Sequence, residues 1–178
     1  MLKVLIADDE EKICQLIIKL INWEEMGLKI AATASNGIEA LEQAKICKPE
    51  ILITDIRMPG IDGMELIRKV KEKLPDTEII IISGYRHFEY AQTAIRYGVR
   101  NYLLKPIKKE ELRDTLQKIA DIYREKNEQL NFEERVRLAL KNDAGKLRTS
   151  FISRMIYGDR ERENIISLKE LNNQYHFH

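Results

Sequence analysis

Short apolar runs alternate with longer stretches of helical periodicity through the first two thirds of the chain. An unbroken apolar run of four to seven residues is typical of a strand buried on both faces of a parallel sheet. The runs that predict strands are Leu2–Ala7, Leu28–Ala34, Ile51–Thr54, Glu78–Ser83 and Asn101–Leu104. Apolar residues that recur every three or four positions predict helices at 11–21, 36–48, 64–74 and 87–97, and a further one from near Lys108.

Strand and helix alternate five times with short links, so the strands should pair in parallel through right-handed crossovers. Helices should then cover both faces of the sheet, which predicts a doubly wound α/β fold without giving the strand order. In the second helix we expect Ile38, Leu41 and Ala44 or Lys45 to face the sheet.

The last third of the chain is helical in pattern but rich in charge. A long helix should leave the first domain, and two amphipathic stretches follow, which we expect to be separated at Asp143 and Gly145. A coiled coil with a second copy and a solvated linker helix are both compatible with the weak apolar seam. The sequence thus predicts a first domain at residues 1–125 and a helical linker with a partial second region at 126–178.

Composition narrows the function classes. The chain has 178 residues, a formal net charge of +1, 44% hydrophobic and 33% charged residues, as in an ordinary globular protein. No apolar run is long enough for a membrane span and the N-terminus is too acidic for a signal peptide, so we expect a cytoplasmic protein. The near-neutral charge predicts no strong nucleic-acid binding by the whole chain. Cys14 and Cys47 lie in helical patterns and are interpreted as small buried thiols.

Acidic side chains follow two of the predicted strands. Asp8 and Asp9 come after the first strand, and Asp55 comes after the third, just before the turn-forming PG and DG pairs. The carboxyl ends of parallel strands form the crevice in which open α/β sheets bind ligands. From the residues alone, Asp55 could be a nucleophile, a metal ligand or a helix cap.

The ordered set of motifs resembles a known family. Ser83 ends the fourth strand and Lys105-Pro106 ends the fifth, in addition to the acids after strands one and three. With these, residues 2–125 resemble a response-regulator receiver domain, which implies a flavodoxin-like sheet of order 2-1-3-4-5. The segments INWEEMGL, ASNGIEAL, DIRMPGIDG, SGYRHFEYAQTAIRYGV and YLLKPI are similar to receivers that precede an AraC-type DNA-binding domain.

The resemblance implies a role for each site residue. Asp55 would be the phosphoacceptor, and three neighbouring carboxylates repel one another unless a hard cation such as Mg²⁺ lies among them. Asp9 and Asp55 could bind Mg²⁺ directly and Asp8 through water, with the backbone carbonyl of Arg57 as a further ligand by resemblance. Lys105 would direct its positive charge at a phosphate oxygen.

Two further residues would form a switch. By resemblance, the Ser83 hydroxyl binds a phosphoryl oxygen on activation, and Tyr102 turns inward behind it. Lys105-Pro106 is a candidate cis peptide, because only an X-Pro bond makes the cis form accessible at low cost.

The partners follow from the same resemblance. A histidine kinase would phosphorylate the chain, which would then dimerise and control transcription through a DNA-binding output domain absent from these 178 residues. The alternative is a stand-alone receiver that acts by protein contacts. An enzyme of the aspartyl-phosphate phosphatase class is disfavoured, because its nucleophile ends the first strand with a second Asp two residues on, whereas Asp8 and Asp9 are adjacent.

Overall fold

The computed structural model describes the backbone of residues 1–84, 88–99 and 101–157, and the side chains of that part up to residue 134 except 88, 89 and 91. Five strands form one parallel sheet in the order β2-β1-β3-β4-β5, which confirms the predicted doubly wound fold and the strand order 2-1-3-4-5. The strands are β1 (Leu2–Ala7), β2 (Leu28–Ala34), β3 (Ile51–Thr54), β4 (Glu78–Ser83) and β5 (Asn101–Leu104).

Two of the helices begin after a residue whose side chain satisfies a free N–H group of the first turn. The Asn36 side chain accepts a hydrogen bond from the Glu39 backbone N–H at 2.8 Å, and Asp62 accepts one from Glu65 at 2.8 Å. The predicted start of the fourth helix, His87, lies outside the described residues. The helices are α1 (Glu11–Leu20), α2 (Gly37–Cys47), α3 (Gly63–Lys73), α4 (Phe88–Arg96) and α5 (Lys109–Tyr157).

The sheet separates two hydrophobic cores. Successive residues of β1 point to opposite faces, so Val4 and Ile6 pack under α1 and the first part of α5, while Leu5 and Ala7 pack under α2, α3 and α4. The four side chains are at most 1% exposed. Burial on both faces explains why the central strands appear as unbroken apolar runs in the sequence.

The inward face of α2 matches the prediction at Leu41 and Ala44, which pack against the core, and differs from it at Ile38. Ile38 is 53% exposed, and the residues that are buried against the sheet are Ala40 and Ala44, with Leu41 half-buried. Ile38 instead lies beside Gly60: a Cβ atom added to Gly60 would be 2.9 Å from the Cδ1 atom of Ile38. Small side chains at the buried positions let the helix approach the sheet closely, so the large apolar residue is displaced to the rim.

The chain divides into two compact units, Met1–Lys126 and Asn127–His178. The predicted separation at Asp143 and Gly145 is wrong, since the helical backbone of α5 is continuous through both residues. A single glycine costs only about 1 kcal/mol in a helix, which its good helix-forming neighbours can offset. Residues 158–178, the end of the predicted partial second region, lie outside the described residues.

Cys14 is buried, whereas Cys47 is only half-buried, and both thiols are free. In the part of the chain that the structure describes, no helix has both the length and the apolar character needed to cross a membrane.

Candidate functional site

Three carboxylates meet at the carboxyl edge of the sheet. Asp8 and Asp9 directly follow β1, Asp55 directly follows β3, and the pairing of Ala7 with Thr54 brings these two strand ends together. The Asp55 backbone N–H donates to the Ala7 carbonyl at 2.9 Å. One oxygen of each carboxylate lies within 4.8 Å of the others, with Asp8 and Asp55 buried and Asp9 exposed.

The Lys105 ammonium lies among these acids. It follows β5, and its Nζ atom is 2.9 Å from Asp55 Oδ2 and 2.9 Å from Asp8 Oδ2. Its backbone N–H donates to the Ser83 carbonyl at 2.9 Å, and the Lys105–Pro106 peptide bond is cis, as the sequence suggested. Strand pairing therefore brings four sequence-predicted residues from three strand ends to one place.

Glu10 is an additional neighbour that sequence reasoning did not select. Its Oε1 atom lies 3.4 Å from Lys105 Nζ, and its backbone N–H donates to Asp8 Oδ1 at 2.9 Å. The only sequence signal was its place in the acidic run after β1, where Asp8 and Asp9 were the residues chosen.

Burial and hydrogen bonding set the electrostatics of the site. Burial raises the pKa of the Asp8 carboxyl, an effect that the Glu10 N–H and Lys105 offset only in part. Burial alone would lower the pKa of Lys105, but the hydrogen bond from its ammonium to Asp55 and its ion pair with Asp8 reverse this and raise the pKa above its usual value. The site therefore holds a fixed ammonium charge between two buried carboxyl groups.

One oxygen of Asp8 lacks a directed donor. Lys105 Nζ is within ion-pairing distance of Asp8 Oδ2 but off the direction of a hydrogen bond, so this buried oxygen has no hydrogen-bond partner among the described residues. An all-oxygen set of carboxylates with such an oxygen fits a hard divalent cation, and Mg²⁺ is commonly held by one or two carboxylates.

The loop between β3 and α3 is fixed to its surroundings by two glycines. The Gly63 N–H donates to the Ile56 carbonyl at 2.7 Å, and a Cβ atom at Gly63 would lie 2.0 Å from the Asp55 carbonyl oxygen. A Cβ atom at Gly37, the first residue of α2, would lie 2.0 Å from the Ile61 carbonyl oxygen. Arg57 belongs to this loop with an exposed side chain, so the glycines determine where its backbone lies.

The two predicted switch residues lie on neighbouring strands. Ser83 ends β4 at the same edge as Asp55 and is 1% exposed. Tyr102 is half-buried on β5, paired with Ile81, and packs against the core under α2, α3 and α4. Asp55 Oδ1 accepts a hydrogen bond from the Ile56 backbone N–H at 2.6 Å. The loop that follows β3 therefore fixes the orientation of the Asp55 carboxylate.

Proteins of known family resemble this chain closely. The transcriptional regulatory protein YesN of Bacillus subtilis (strain 168), named as uncharacterized, is 40% identical over 139 residues, which are 75% of this chain and 38% of that protein. The transcriptional regulatory protein HptR of Staphylococcus aureus (strain N315) is 40% identical over 107 residues, which are 60% of this chain and 42% of that protein. The chain thus matches less than half the length of these relatives.

Solved structures give the same result. The REC domain of AraT, a response regulator from Geobacillus stearothermophilus, superposes with a TM-score of 0.68 at 41% identity, covering 71% of this chain and 98% of that one. A two component transcriptional regulator AraC from Clostridium phytofermentans gives 0.64 at 36% identity, covering 68% and 94%. The response regulator receiver domain family matches residues 4–117. The chain therefore belongs to the response regulator receiver family.

Proposed function

We propose that this receiver accepts a phosphoryl group on Asp55 from a sensor histidine kinase. The observation that carries the proposal is the position of the Lys105 ammonium, 2.9 Å from both Asp55 and Asp8, at an edge where three carboxylates converge. Receiver domains in general are signalling domains that histidine kinases phosphorylate and that bind Mg²⁺ in an acidic pocket. This chain would therefore assist its own phosphorylation and dephosphorylation rather than turn over a substrate.

The acidic residues would hold the cation. Asp9 and Asp55 would supply direct oxygen ligands, Asp8 would act through water, and the Arg57 carbonyl would complete the share of the protein. Bound Mg²⁺ would neutralise charge on the incoming phosphoryl group, which a cluster of three carboxylates would otherwise repel.

The Asp55 carboxylate would act as the nucleophile. One of its oxygens forms a bond to phosphorus while the bond from phosphorus to the donor imidazole nitrogen breaks, and the imidazole keeps the electron pair and takes up a proton. The Ile56 N–H and Lys105 hold the carboxylate in a single orientation before attack. As the negative charge moves to the phosphoryl oxygens, the Lys105 ammonium stays within reach of them.

Ser83 and Tyr102 would transmit the change. The Ser83 hydroxyl, at the edge that carries Asp55, would bind a phosphoryl oxygen, and Tyr102 would pack inward behind it. That movement would alter the surface made by α4, β5 and the start of α5 and favour a homodimer.

The output would be control of transcription. This part of the proposal rests on the names of the relatives YesN, HptR and AraC, which are described as transcriptional regulators. DNA would be contacted through a C-terminal output domain outside these 178 residues.

Intact-mass analysis with a small phosphodonor tests the phosphoacceptor. The wild-type chain should gain the mass of one phosphoryl group when Mg²⁺ is present and none when the metal is chelated. Asp55→Asn should gain none, because the amide keeps the shape but removes the nucleophile. Asp62→Asn is the matched control, since asparagine caps α3 as well as aspartate does. Equal phosphorylation of the Asp55→Asn variant would exclude the assignment.

A further inference from the structure

A cavity lies between the C-terminal halves of α2 and α3. Its volume is about 200 Å³, and apolar side chains of Leu41, Val70 and Leu74 line it. These helices end beside the starts of β3 and β4, so the cavity is at the edge of the sheet opposite Asp55. It is separate from the phosphorylation site and has no role in the chemistry proposed there.

Four lysines surround this cavity: Lys45 in α2, Lys48 just after α2, and Lys69 and Lys73 in α3. Lys69 pairs with Glu65 at 3.4 Å, while the other three have no ion pair within the described part of the chain. An apolar cavity bordered by unpaired ammonium groups is complementary to an apolar group flanked by negative charge.

The volume decides the kind of occupant. Pockets for small-molecule ligands usually have about 300–1,000 Å³, which is larger than this cavity. A space of about 200 Å³ suits one bulky side chain, and the two lysines on each side suit carboxylates that precede and follow it. We propose that this cavity binds an acidic segment of a partner protein, which inserts one apolar side chain between α2 and α3 while its carboxylates pair with the lysines.

The backbone at Lys48 supports a role beyond closing the helix. Lys48 ends α2 in the left-handed conformation, with φ 46°, and its N–H donates to the Ala44 carbonyl at 3.0 Å. Glycine is the usual residue there because any Cβ atom is strained in this conformation. The helix dipole also favours lysine near the carbonyl end of a helix. That preference is met by a lysine anywhere in the last turn, such as Lys45, so it does not explain a lysine at the strained position.

Peptide binding to the full 178-residue chain tests the proposal. The probe is a fluorescein-labelled peptide of the sequence EEFEE, and anisotropy should show saturable binding that weakens with salt. Lys48→Gly should weaken binding about tenfold and yet raise Tm by about 2–4 °C, because glycine relieves the backbone strain. Lys45→Glu should weaken it at least as much. Lys19→Glu, the same change in the last turn of α1, should leave binding unchanged.

The peptide EEAEE should bind far more weakly, because alanine cannot fill the cavity. Equal binding of EEFEE and EEAEE would overturn the proposal, as would wild-type affinity in Lys48→Gly or equal losses in Lys45→Glu and Lys19→Glu. Competition by 3-phenylpropionate at lower concentrations than unlabelled EEFEE would indicate a small-molecule site and overturn the assignment to a protein partner. None of these results depends on Asp55, so failure here leaves the phosphorylation proposal intact.

Discussion

Gly37 is far from Asp55 in sequence, but it contacts the loop between β3 and α3 that follows Asp55. A methyl group at this position would overlap the Ile61 carbonyl at 2.0 Å, and backbone cannot yield as a flexible side chain can. We expect Gly37→Ala to displace the loop that carries Arg57, to cost about 1–3 kcal/mol of stability and to weaken Mg²⁺-dependent phosphorylation. Stopped-flow phosphorylation across a Mg²⁺ titration would measure the effect.

Gly27→Ala provides the control for that change. Gly27 has φ 71° and open space around it, so alanine there costs about 1–2 kcal/mol of backbone strain without contacting the site. Gly27→Ala should therefore lose stability but keep its Mg²⁺ dependence. Identical Mg²⁺ titrations for the two variants would show that Gly37 has no positioning role.

Tyr123 connects α5 to the loops that precede β3 and β4. Its hydroxyl donates to the Glu50 carbonyl at 3.2 Å and to the Asp76 carbonyl. Tyr123→Phe should lower the free energy of unfolding by about 1 kcal/mol near neutral pH, the usual net value of such hydrogen bonding. Urea denaturation of both proteins would measure it, and an unchanged midpoint would contradict the assigned role.

The same residue predicts a pH dependence. Burial, with the nearby acids Glu78, Glu50 and Asp76, raises the pKa of Tyr123 to about 12 in the folded chain, whereas an exposed tyrosine titrates near pH 10. As pH rises, the Tyr123 hydroxyl therefore loses its proton in the unfolded state before it does so in the folded state. The stability that this hydroxyl contributes is complete below pH 10 and is lost as pH rises towards 12. The stability difference between wild type and Tyr123→Phe should shrink over that interval, and a constant difference would refute the shift.

The site was predictable wherever it depended on strand ends. Asp8, Asp55 and Lys105 each follow a strand that the sequence marks by an apolar run, and parallel pairing brings such ends together. The contact between Gly37 and Ile61 was not predictable, because it joins a helix start to a loop 24 positions later through shape alone. Glu10 was missed for a similar reason. What distinguishes it from the other acidic residues after β1 is its distance of 3.4 Å to Lys105, which depends on the fold.

At the scale of elements, local patterns predict the existence of helices and strands better than their faces or limits. The strands of the central sheet were evident because they are apolar on both faces. The inward face of α2 was evident only in part: Leu41 and Ala44 were expected there, but Ala40 gives a weaker signal than the exposed Ile38. The continuity of α5 was missed because Gly145 resembles a breaker when its neighbours are ignored.

The continuity of α5 gives a direct prediction. Gly145 lies within helical backbone, so Gly145→Ala should stabilise the local helix by about 1 kcal/mol through intrinsic propensity. Hydrogen exchange of amides 141–149 should slow about fivefold in this variant, and the reciprocal Ala144→Gly should accelerate it similarly. Unchanged exchange in both would mean that these residues are not helical in solution.

For the molecule as a whole, the proposed switch requires that one added charge changes assembly. Ser83 lies at the Asp55 edge, and Tyr102 lies on the next strand, paired with Ile81. Phosphate on Asp55 can select one packing of this pair only if it binds that packing more tightly than the other. The free energy for this selection comes from contacts of the phosphoryl oxygens with Ser83 and Lys105 that are stronger in one packing than in the other. A mimic that places equivalent atoms at those positions should therefore act as phosphate does.

Beryllofluoride, a phosphoryl mimic, should therefore increase the weight-average mass of the chain in sedimentation equilibrium when Mg²⁺ is present. The increase should grow with protein concentration, because it reflects dimerisation, and Asp55→Asn should show none. Ser83→Ala should bind the mimic but dimerise less, because it retains the acidic pocket and loses the hydroxyl that couples the pocket to Tyr102. A mass that stays monomeric in the wild type over a wide concentration range, with beryllofluoride binding verified, would disprove the coupling of phosphorylation to assembly.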